Sequence, residues 1–394
     1  MKNIKELDLN NKRVMIRVDL NVPLDDQGNV TDDTRILGVL PTLRYAISRN
    51  AKVIVCSHCG RPKGQRQEKF SMAPAAKRLA QLLETEVQLA PDCIGPEVQA
   101  CVEKMQSGDI LLLENLRFHD GETKNDPQFA RQLADLADVY INDAFAVSHR
   151  AHASVEGITH FVGECAAGLL LQKEMDYFNR SISHAARPLV AVLGGAKVSS
   201  KLGAIRNMLD RVDKMIIGGA MANTFIKSQG FQTGSSLVED DLLETARELI
   251  ALAREKGVQL YLPVDCIVAD RFTPDAATKK VTIQDIPENW MALDIGPATS
   301  ILFNEALDDA QTIVWNGPMG AFEMAAYAKG SYAMVQSLTS SNAMTVVGGG
   351  DTNALVNQAG AGQDVSYMST GGGAFLMLME GKDLPGVTAL EEKV

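Results

Sequence analysis

No apolar run in this chain approaches the roughly 18 residues needed to cross a membrane as a helix. The first residues, Met1-Lys2-Asn3-Ile4-Lys5-Glu6, lack the apolar core of a secretory signal. A cytoplasmic location is therefore expected. Cysteine is sparse, with six scattered through 394 residues, a usage that fits a reducing compartment. Cys56 and Cys59 form one C-x-x-C, but no second such pair or close His–Cys pair completes four metal ligands. Packing of Cys56 as a small hydrophobe at the end of an apolar strand is the stronger reading. Positive charge is also short. The formal net charge is −11 and the pI is near 5.1, which excludes general nucleic-acid binding. An anionic ligand must instead meet a local positive patch. The G-x-x-x-x-G-K-[ST] phosphate loop is absent, and the first strand does not lead into G-x-G-x-x-G. The second absence disfavours a nicotinamide-dependent dehydrogenase.

What remains is a long, well-mixed globular sequence. Its 394 residues exceed the roughly 250–300 at which a single core usually splits. Short β-branched runs alternate with helical patterns, as parallel sheets covered on both faces require. Strands are expected at 14–18, 52–56, 110–113, 139–141, 189–193, 214–217, 259–262, 312–315, 345–347 and 366–368. Helices are expected at 36–49, 72–83 and 127–136, with Ser71 capping the second of these. A continuous helical pattern over Glu164–Ser183 separates the halves, and Arg187-Pro188 stops it. These readings predict two doubly wound, Rossmann-like α/β domains joined by a long helix that acts as a hinge. The expected division is 1–165, a connecting helix over 166–186, 187–378, and a tail over 379–394. Composition does not say where that tail packs.

The second half carries glycines wherever a buried strand should end: Gly194-Gly195, Gly218-Gly219, Gly348-Gly349-Gly350 and Gly371-Gly372-Gly373. A strand, a bare turn and a helix start together bring backbone N–H groups close to phosphate. Asp351 and Thr352 follow the triple glycine, and the carboxylate could hold Mg²⁺ against phosphates. A helix N-cap is the plainer role for such an Asp. Lys197 and Lys201 are spaced to share one face of the next helix, where cations oppose the helix dipole unless an anion is bound. Glu323, after Trp315-Asn316-Gly317-Pro318, is placed to reach a sugar hydroxyl. The first half differs. Thirteen arginines precede residue 190 and five follow it, and all six histidines lie in the first half. Asp19, Asn21, Arg35, His58, Arg61, Arg117 and Arg150 fall at or just beyond predicted strand ends. Arginine forks match phosphate and carboxylate oxygens. The residues alone thus support phosphoryl transfer to a small anionic acid. A non-catalytic sensor on the same fold would keep the glycine turns but could lose Arg35 or Lys197.

The motifs resemble those of the phosphoglycerate kinase family over nearly the whole chain. They run in order from Arg17-Val18-Asp19-Leu20-Asn21-Val22-Pro23 through Leu113-Glu114-Asn115-Leu116-Arg117-Phe118, Gly194-Gly195-Ala196-Lys197-Val198-Ser199 and Trp315-Asn316-Gly317-Pro318 to Ser369-Thr370-Gly371-Gly372-Gly373-Ala374. The resemblance implies a two-lobed monomer whose C-terminus returns to the N-terminal lobe. It implies transfer of phosphate between ATP and 3-phosphoglycerate, with Mg²⁺. By motif, Asp19, Asn21, Arg35, His58, Arg61, Arg117 and Arg150 would bind phosphoglycerate. Lys197, Lys201, Glu323, Gly349, Gly350, Asp351 and Thr352 would hold the nucleotide, with Asp351 near the metal. Arg35, Lys197, Gly372 and Gly373 would surround the moving phosphoryl group, and the lobes would close on both substrates. Two departures are small: Cys59 stands where the family commonly has Leu, and Ala220 where a third glycine is frequent.

Overall fold

The structure is a computed structural model, and residues 1–393 are described. The chain divides into two compact units, Met1–Met175 joined by the segment from Asp383 onward, and Asp176–Lys382.

The first unit is built on six parallel strands: β1 (Arg13–Arg17), β2 (Lys52–Cys56), β3 (Gln88–Leu89), β4 (Ile110–Leu112), β5 (Val139–Asn142) and β6 (Glu164–Ala167). Their order is β3-β4-β2-β1-β5-β6. The central runs Val14–Ile16, Val53–Val55 and Val139–Ile141 are fully buried, as continuous apolar runs in a doubly covered sheet must be. Helices Thr34–Ser48, Ala73–Leu83, Pro96–Lys104 and Pro127–Ala134 fall between strands. Met72, not Ser71, takes the N-cap position of Ala73–Leu83. The Ser71 hydroxyl still accepts from the Ala73 N–H at 3.2 Å while donating to Glu114 at 2.8 Å. The C-terminal helix Pro385–Glu391 belongs to this unit. Its Gly386 N–H donates to the Ser148 carbonyl at 2.9 Å, and Leu390 is fully buried.

The expected continuous helix from Glu164 is not formed. Glu164–Ala167 is the edge strand β6, paired in parallel with β5. The α-helix runs over Leu169–Phe178, and Asn179–Ser183 continues as a π-helical turn. The break has a local cause. The buried Asp143 carboxylate accepts from the Leu170 and Leu171 N–H groups at 2.8 and 3.0 Å, which fixes the helix start. A Cβ on Gly168 would lie 2.1 Å from that carboxylate.

The second unit has β7 (Leu189–Leu193), β8 (Lys214–Ile217) and β9 (Gln259–Tyr261), then a separate sheet of β10 (Asp265–Ala269), β11 (Thr278–Thr282) and β12 (Met291–Ile295). β13 (Thr312–Asn316), β14 (Met344–Gly348) and β15 (Tyr367–Met368) complete the main sheet. The main sheet is parallel, in the order β15-β14-β13-β7-β8-β9; the small sheet is antiparallel, in the order β11-β10-β12. No strand was expected between 262 and 312. Exposure hides β11, which reads Thr-Lys-Lys-Val-Thr and buries little; β10 is largely buried, and its short apolar run from Cys266 to Ala269 was a readable signal. Trp315, Phe303 and Val347 lie at the centre of the unit's core.

The turns after β7, β8 and β13 pack backbone against backbone. Gly219 adopts φ +68°, and a Cβ there would lie 2.5 Å from the Gly195 nitrogen and 2.8 Å from the Pro318 carbonyl oxygen. Gly257 has a similar φ of +71° but open space around it. Left-handed backbone costs a non-glycine residue about 1–2 kcal/mol. Gly257→Ala is therefore expected to lose about that much stability, whereas Gly219→Ala adds a clash with immovable backbone. The thermal midpoint of Gly219→Ala should fall well below that of Gly257→Ala. Equal midpoints would show that the turns are not tightly packed.

Candidate active site

The carboxyl edge of the first sheet gathers charge. Asp19 and Asn21 follow β1, His58 and Arg61 follow β2, Arg117 follows β4, and Arg150 lies beyond β5. Arg35 reaches this edge from the first turn of helix Thr34–Ser48 and donates to the Asp19 carboxylate. The other Asp19 oxygen accepts from the Asn21 N–H at 3.1 Å. Asn21 Oδ1 in turn accepts from the Gly60 N–H at 2.8 Å, tying the first two strand-end loops together. Asn115 caps the short turn Leu116–Phe118 by accepting from the Arg117 N–H, and its amide donates to the Cys59 and Phe70 carbonyls at 2.7 and 2.9 Å. Arg117 is held by its Nη1, which donates to the Gly60 carbonyl at 2.8 Å. Its Nε is buried without an acceptor among the described residues. A guanidinium nitrogen can only donate, so this group needs an anionic or carbonyl oxygen.

The electrostatics agree. His58 is almost fully buried, and its pKa is held well below the ordinary imidazole value, first by burial and then by Arg17, Arg117, Arg35 and Arg150. Burial, then Arg17 and Arg150, push the Arg117 pKa down to about 10. Burial, then Arg61, lower that of Arg150. His152 is pushed down to about 4 by burial and then by Arg117, Arg17 and Arg150. Arg17 and Arg150 thus act against the charge of Arg117, and Arg61 and Arg17 against that of Arg150, beside neutral imidazoles. A bound anion would relieve all of them.

The residues that hold this edge were not singled out as site residues from sequence. Arg17 is fully buried. It donates from Nε to Ser154 Oγ at 2.9 Å and from Nη2 to His58 Nδ1 at 3.3 Å. Because guanidinium cannot accept, His58 Nδ1 is the acceptor and the ring proton sits on Nε2. Ser154 is anchored by the buried Glu122, which accepts from its N–H at 2.9 Å and its hydroxyl at 2.7 Å. An arginine inside the apolar run Val14–Val18 was a readable signal. Glu122, in the polar stretch Asp120–Lys124, gave none.

In the second unit a cleft of about 490 Å³ opens where the glycine turns meet. Its lining is mostly apolar, including Leu237, Phe272 and Met319, with Glu323 and Asp351 among its polar groups. Leu237 and Phe272 are 49% and 60% exposed, as expected of side chains that a flat ring would cover. Lys197 and Lys201 do not share a helical face as expected. The helix begins at Leu202, with Lys201 in the N-cap position and Lys197 in the preceding turn. Lys197 is exposed, whereas Lys201 is buried and its Nζ donates to the Asn316 carbonyl at 2.9 Å and to the Asn316 side chain. Burial pushes the Lys201 pKa down to about 8, with Asp351 acting in the opposite direction. Asp351 is not an N-cap. Gly349, at φ +106°, holds that position, and Asp351 stands exposed in the first turn of helix Gly350–Gln358. Thr352 is buried and its hydroxyl accepts from the Gly317 N–H at 2.7 Å. The helix Gly372–Met379 starts beside it: a Cβ on Gly372 would lie 3.0 Å from the Gly349 Cα. Two helix N-termini therefore converge close to Asp351. A lone exposed carboxylate beside converging N–H groups suits Mg²⁺, which takes one or two carboxylates and completes its shell with phosphate and water.

A larger depression of about 850 Å³ lies at the amino edge of β7 and β8. Arg187, Lys214 and Lys256 there are already paired with Asp213, Asp309 and Asp210, so it is the weaker candidate. All six cysteines are free thiols, and Cys56 is fully buried at the end of its strand, where burial pushes its pKa up to about 12.

Comparison with known proteins agrees with this arrangement. Residues 4–382 match the family model described as phosphoglycerate kinase. The phosphoglycerate kinase of Geotalea uraniireducens is 60% identical over 385 residues, 98% of this chain and 96% of that protein. That of Desulfotalea psychrophila is 60% identical over 391 residues, 99% of this chain and all of that protein. The solved structure of phosphoglycerate kinase from Coxiella burnetii is 42% identical, with a TM-score of 0.91 over 99% of this chain and 98% of its own. Family model, relatives and fold coincide, and the chain belongs to the phosphoglycerate kinase family.

Proposed function

We propose that the arginine-lined edge of the first unit binds 3-phosphoglycerate and the glycine-lined cleft of the second binds ATP or ADP. The chain is a phosphotransferase. It moves the γ-phosphoryl group of ATP reversibly to the carboxylate of 3-phosphoglycerate, giving 1,3-bisphosphoglycerate. The observation that supports the acid site most strongly is the buried, unpartnered Arg117 Nε amid mutually destabilising cations. In this reading Arg61, Arg117 and Arg150 hold the phosphate and carboxylate charges of the acid. Asp19 and Asn21 orient it, and His58 donates from Nε2.

The acceptor is a carboxylate, ionised near neutral pH, so no general base is needed. The difficulty is charge: two anions must approach while negative charge spreads over the transferred group. Arg35 is positioned by Asp19 in the free protein and turns its fork to the migrating phosphoryl group when substrates bind. Lys197 and the N–H groups of Gly372 and Gly373 face the same group from the nucleotide side. Lys201, Gly349, Gly350 and Thr352 hold the phosphate chain, and Glu323 the ribose. Asp351 would hold Mg²⁺, which supplies charge neutralisation on the phosphates. We take the protein to act as a monomer, with the acid and nucleotide units joined through the helix Leu169–Phe178.

A coupled assay for ATP consumption with 3-phosphoglycerate tests the activity itself. Arg35→Ala should lower turnover by roughly 100-fold or more, the usual scale for losing a transition-state donor. Its effect on phosphoglycerate affinity should be much smaller. Turnover equal to the parent's at saturation would remove Arg35 from the chemistry. Asp351→Asn should impair use of MgATP while leaving phosphoglycerate binding nearly intact, measured by titration calorimetry of each ligand. Loss of phosphoglycerate affinity alone would reverse the assignment of the two sites. His58 should remain neutral, with its proton on Nε2, at pH 6.5, where an ordinary imidazole is half protonated. Long-range ¹H–¹⁵N spectra of histidine-labelled protein report this directly. A doubly protonated ring at that pH would contradict the arginine field.

A further inference from the structure

We propose that Asp92, Cys93 and His119 form a binding site for a zinc-class divalent cation. Cys93 Sγ, His119 Nε2 and an Asp92 carboxylate oxygen all lie within 4.8 Å of one another, and no other such trio converges among the described residues. They come from two turns of the first unit. Asp92 and Cys93 follow β3, and His119 follows the short turn Leu116–Phe118 beyond β4.

The plain alternative is a half-exposed His–Asp pair beside a core thiol. Three observations favour a ligand. First, the donors are one sulfur, one imidazole nitrogen and one carboxylate oxygen, leaving a fourth tetrahedral position for water. A thiolate and a carboxylate carry two negative charges with a neutral imidazole, which matches one divalent ion. The sulfur selects against Mg²⁺ and Ca²⁺, which take oxygen. Second, access is graded. Cys93 is fully buried, whereas the His119 and Asp92 side chains are 31% and 39% exposed, so an ion can enter from solvent and reach a thiol at the base. Third, the donors are already oriented. Asp92 Oδ1 accepts from the Cys93 N–H at 2.7 Å and faces His119 Nε2 at 2.8 Å. The His119 ring packs on Phe129 with centroids 5.4 Å apart. The Asp92 carbonyl accepts from the Glu114 N–H at 3.3 Å.

Ligand bonds of about 2.0–2.1 Å place nitrogen and oxygen roughly 3.3 Å apart in a tetrahedral site. The cation takes the place of the proton between His119 Nε2 and Asp92; that proton is lost to solvent while Nδ1 carries the N–H of the neutral ring, and the pair spreads by about half an ångström. A metal–sulfur bond forms, the Cys93 S–H bond breaks, and its proton passes to solvent; nothing is oxidised. Because His119 is two residues from Arg117, the ion would also pin the turn that carries that arginine.

Cobalt reports the site without reliance on activity. Co²⁺ titrated into the full-length protein, free of Mg²⁺, should give a thiolate-to-cobalt charge-transfer band at one equivalent, with intense tetrahedral bands in the visible. Zn²⁺ should bleach both. Cobalt held only by oxygen, as at Asp351, gives no charge-transfer band. Cys93→Ser should abolish the band. His119→Gln should weaken Zn²⁺ affinity by about tenfold or more in competition with a chromophoric chelator. If Cys93→Ser does not fold, His119→Gln still decides, because it changes a partly exposed side chain. No charge-transfer band in the parent, or a band and affinity unchanged in His119→Gln, would overturn the proposal.

Discussion

Crowding of positive charge, with Arg17, Arg35, Arg61, Arg117 and Arg150 at one sheet edge, is the constraint around which the first unit is organised. An acidic protein spreads its cations thinly, yet five converge on one sheet edge, where burial first and the neighbouring arginines second depress the pKa values of His58, His152 and Arg117. The fold holds these charges together by burying the supports rather than by neutralising the ligand-facing groups. Glu122 is the buried counter-charge, but its hydrogen bonds reach only Arg17, through Ser154. Asp19 is the second, and it engages Arg35. Neighbouring loops are locked by neutral amides, Asn21 onto Gly60 and Asn115 onto Cys59 and Phe70. A carboxylate in any of those amide positions would have neutralised the pocket it was meant to shape.

The second unit solves the opposite problem. Its ligand-facing surface is main chain, so its constraint is steric. Gly194, Gly219 and Gly317 pack so closely that a side chain on any of them would strike a neighbouring turn. The exposed N–H groups at the starts of helices Gly350–Gln358 and Gly372–Met379 follow from the same closeness. Partial charges at helix ends do not repel one another as arginines do, so they can be gathered without buried acids. The cost appears instead as backbone that only glycine adopts freely, at Gly219 and Gly349, where φ is positive.

Much of this was legible in the sequence, and the illegible parts share a cause. Parallel strands announced themselves because both faces are buried. β11 did not, because it is exposed on both sides of its alternation. The helix expected from Glu164 failed because Cys165, Ala166 and Ala167 suit an edge strand as well as a helix. Only the tertiary contact with Asp143 decides the boundary. Likewise Lys197 and Lys201 have helical spacing, but the turn after Gly195 is longer than the spacing suggests. Residues proposed to touch ligand were visible because they sit at strand ends. Residues that hold them, such as Glu122 and Ser154, are remote in sequence, and only the folded chain brings them together.

Lys201 shows how the two strategies meet. Its ammonium group has three donors, and Asn316 takes two of them through its carbonyl and its side chain. One donor is left for phosphate. Burial lowers its pKa to about 8 from 10.5, so charging it costs stability in full below about pH 8. That cost fades as the pH rises toward the unfolded value. A lysine kept for packing alone would be cheaper as methionine. In the proposed site the charge has a use, because a phosphate chain over Gly349 and Gly350 would need a cation that stays fixed while the chain changes length by one phosphoryl group. Asn316 supplies that fixity by holding the ammonium group from behind, and its own amide is anchored to the Gly348 carbonyl at 2.8 Å. The cation is thereby tied to the glycine turn it serves, so any shift of that turn carries the charge with it.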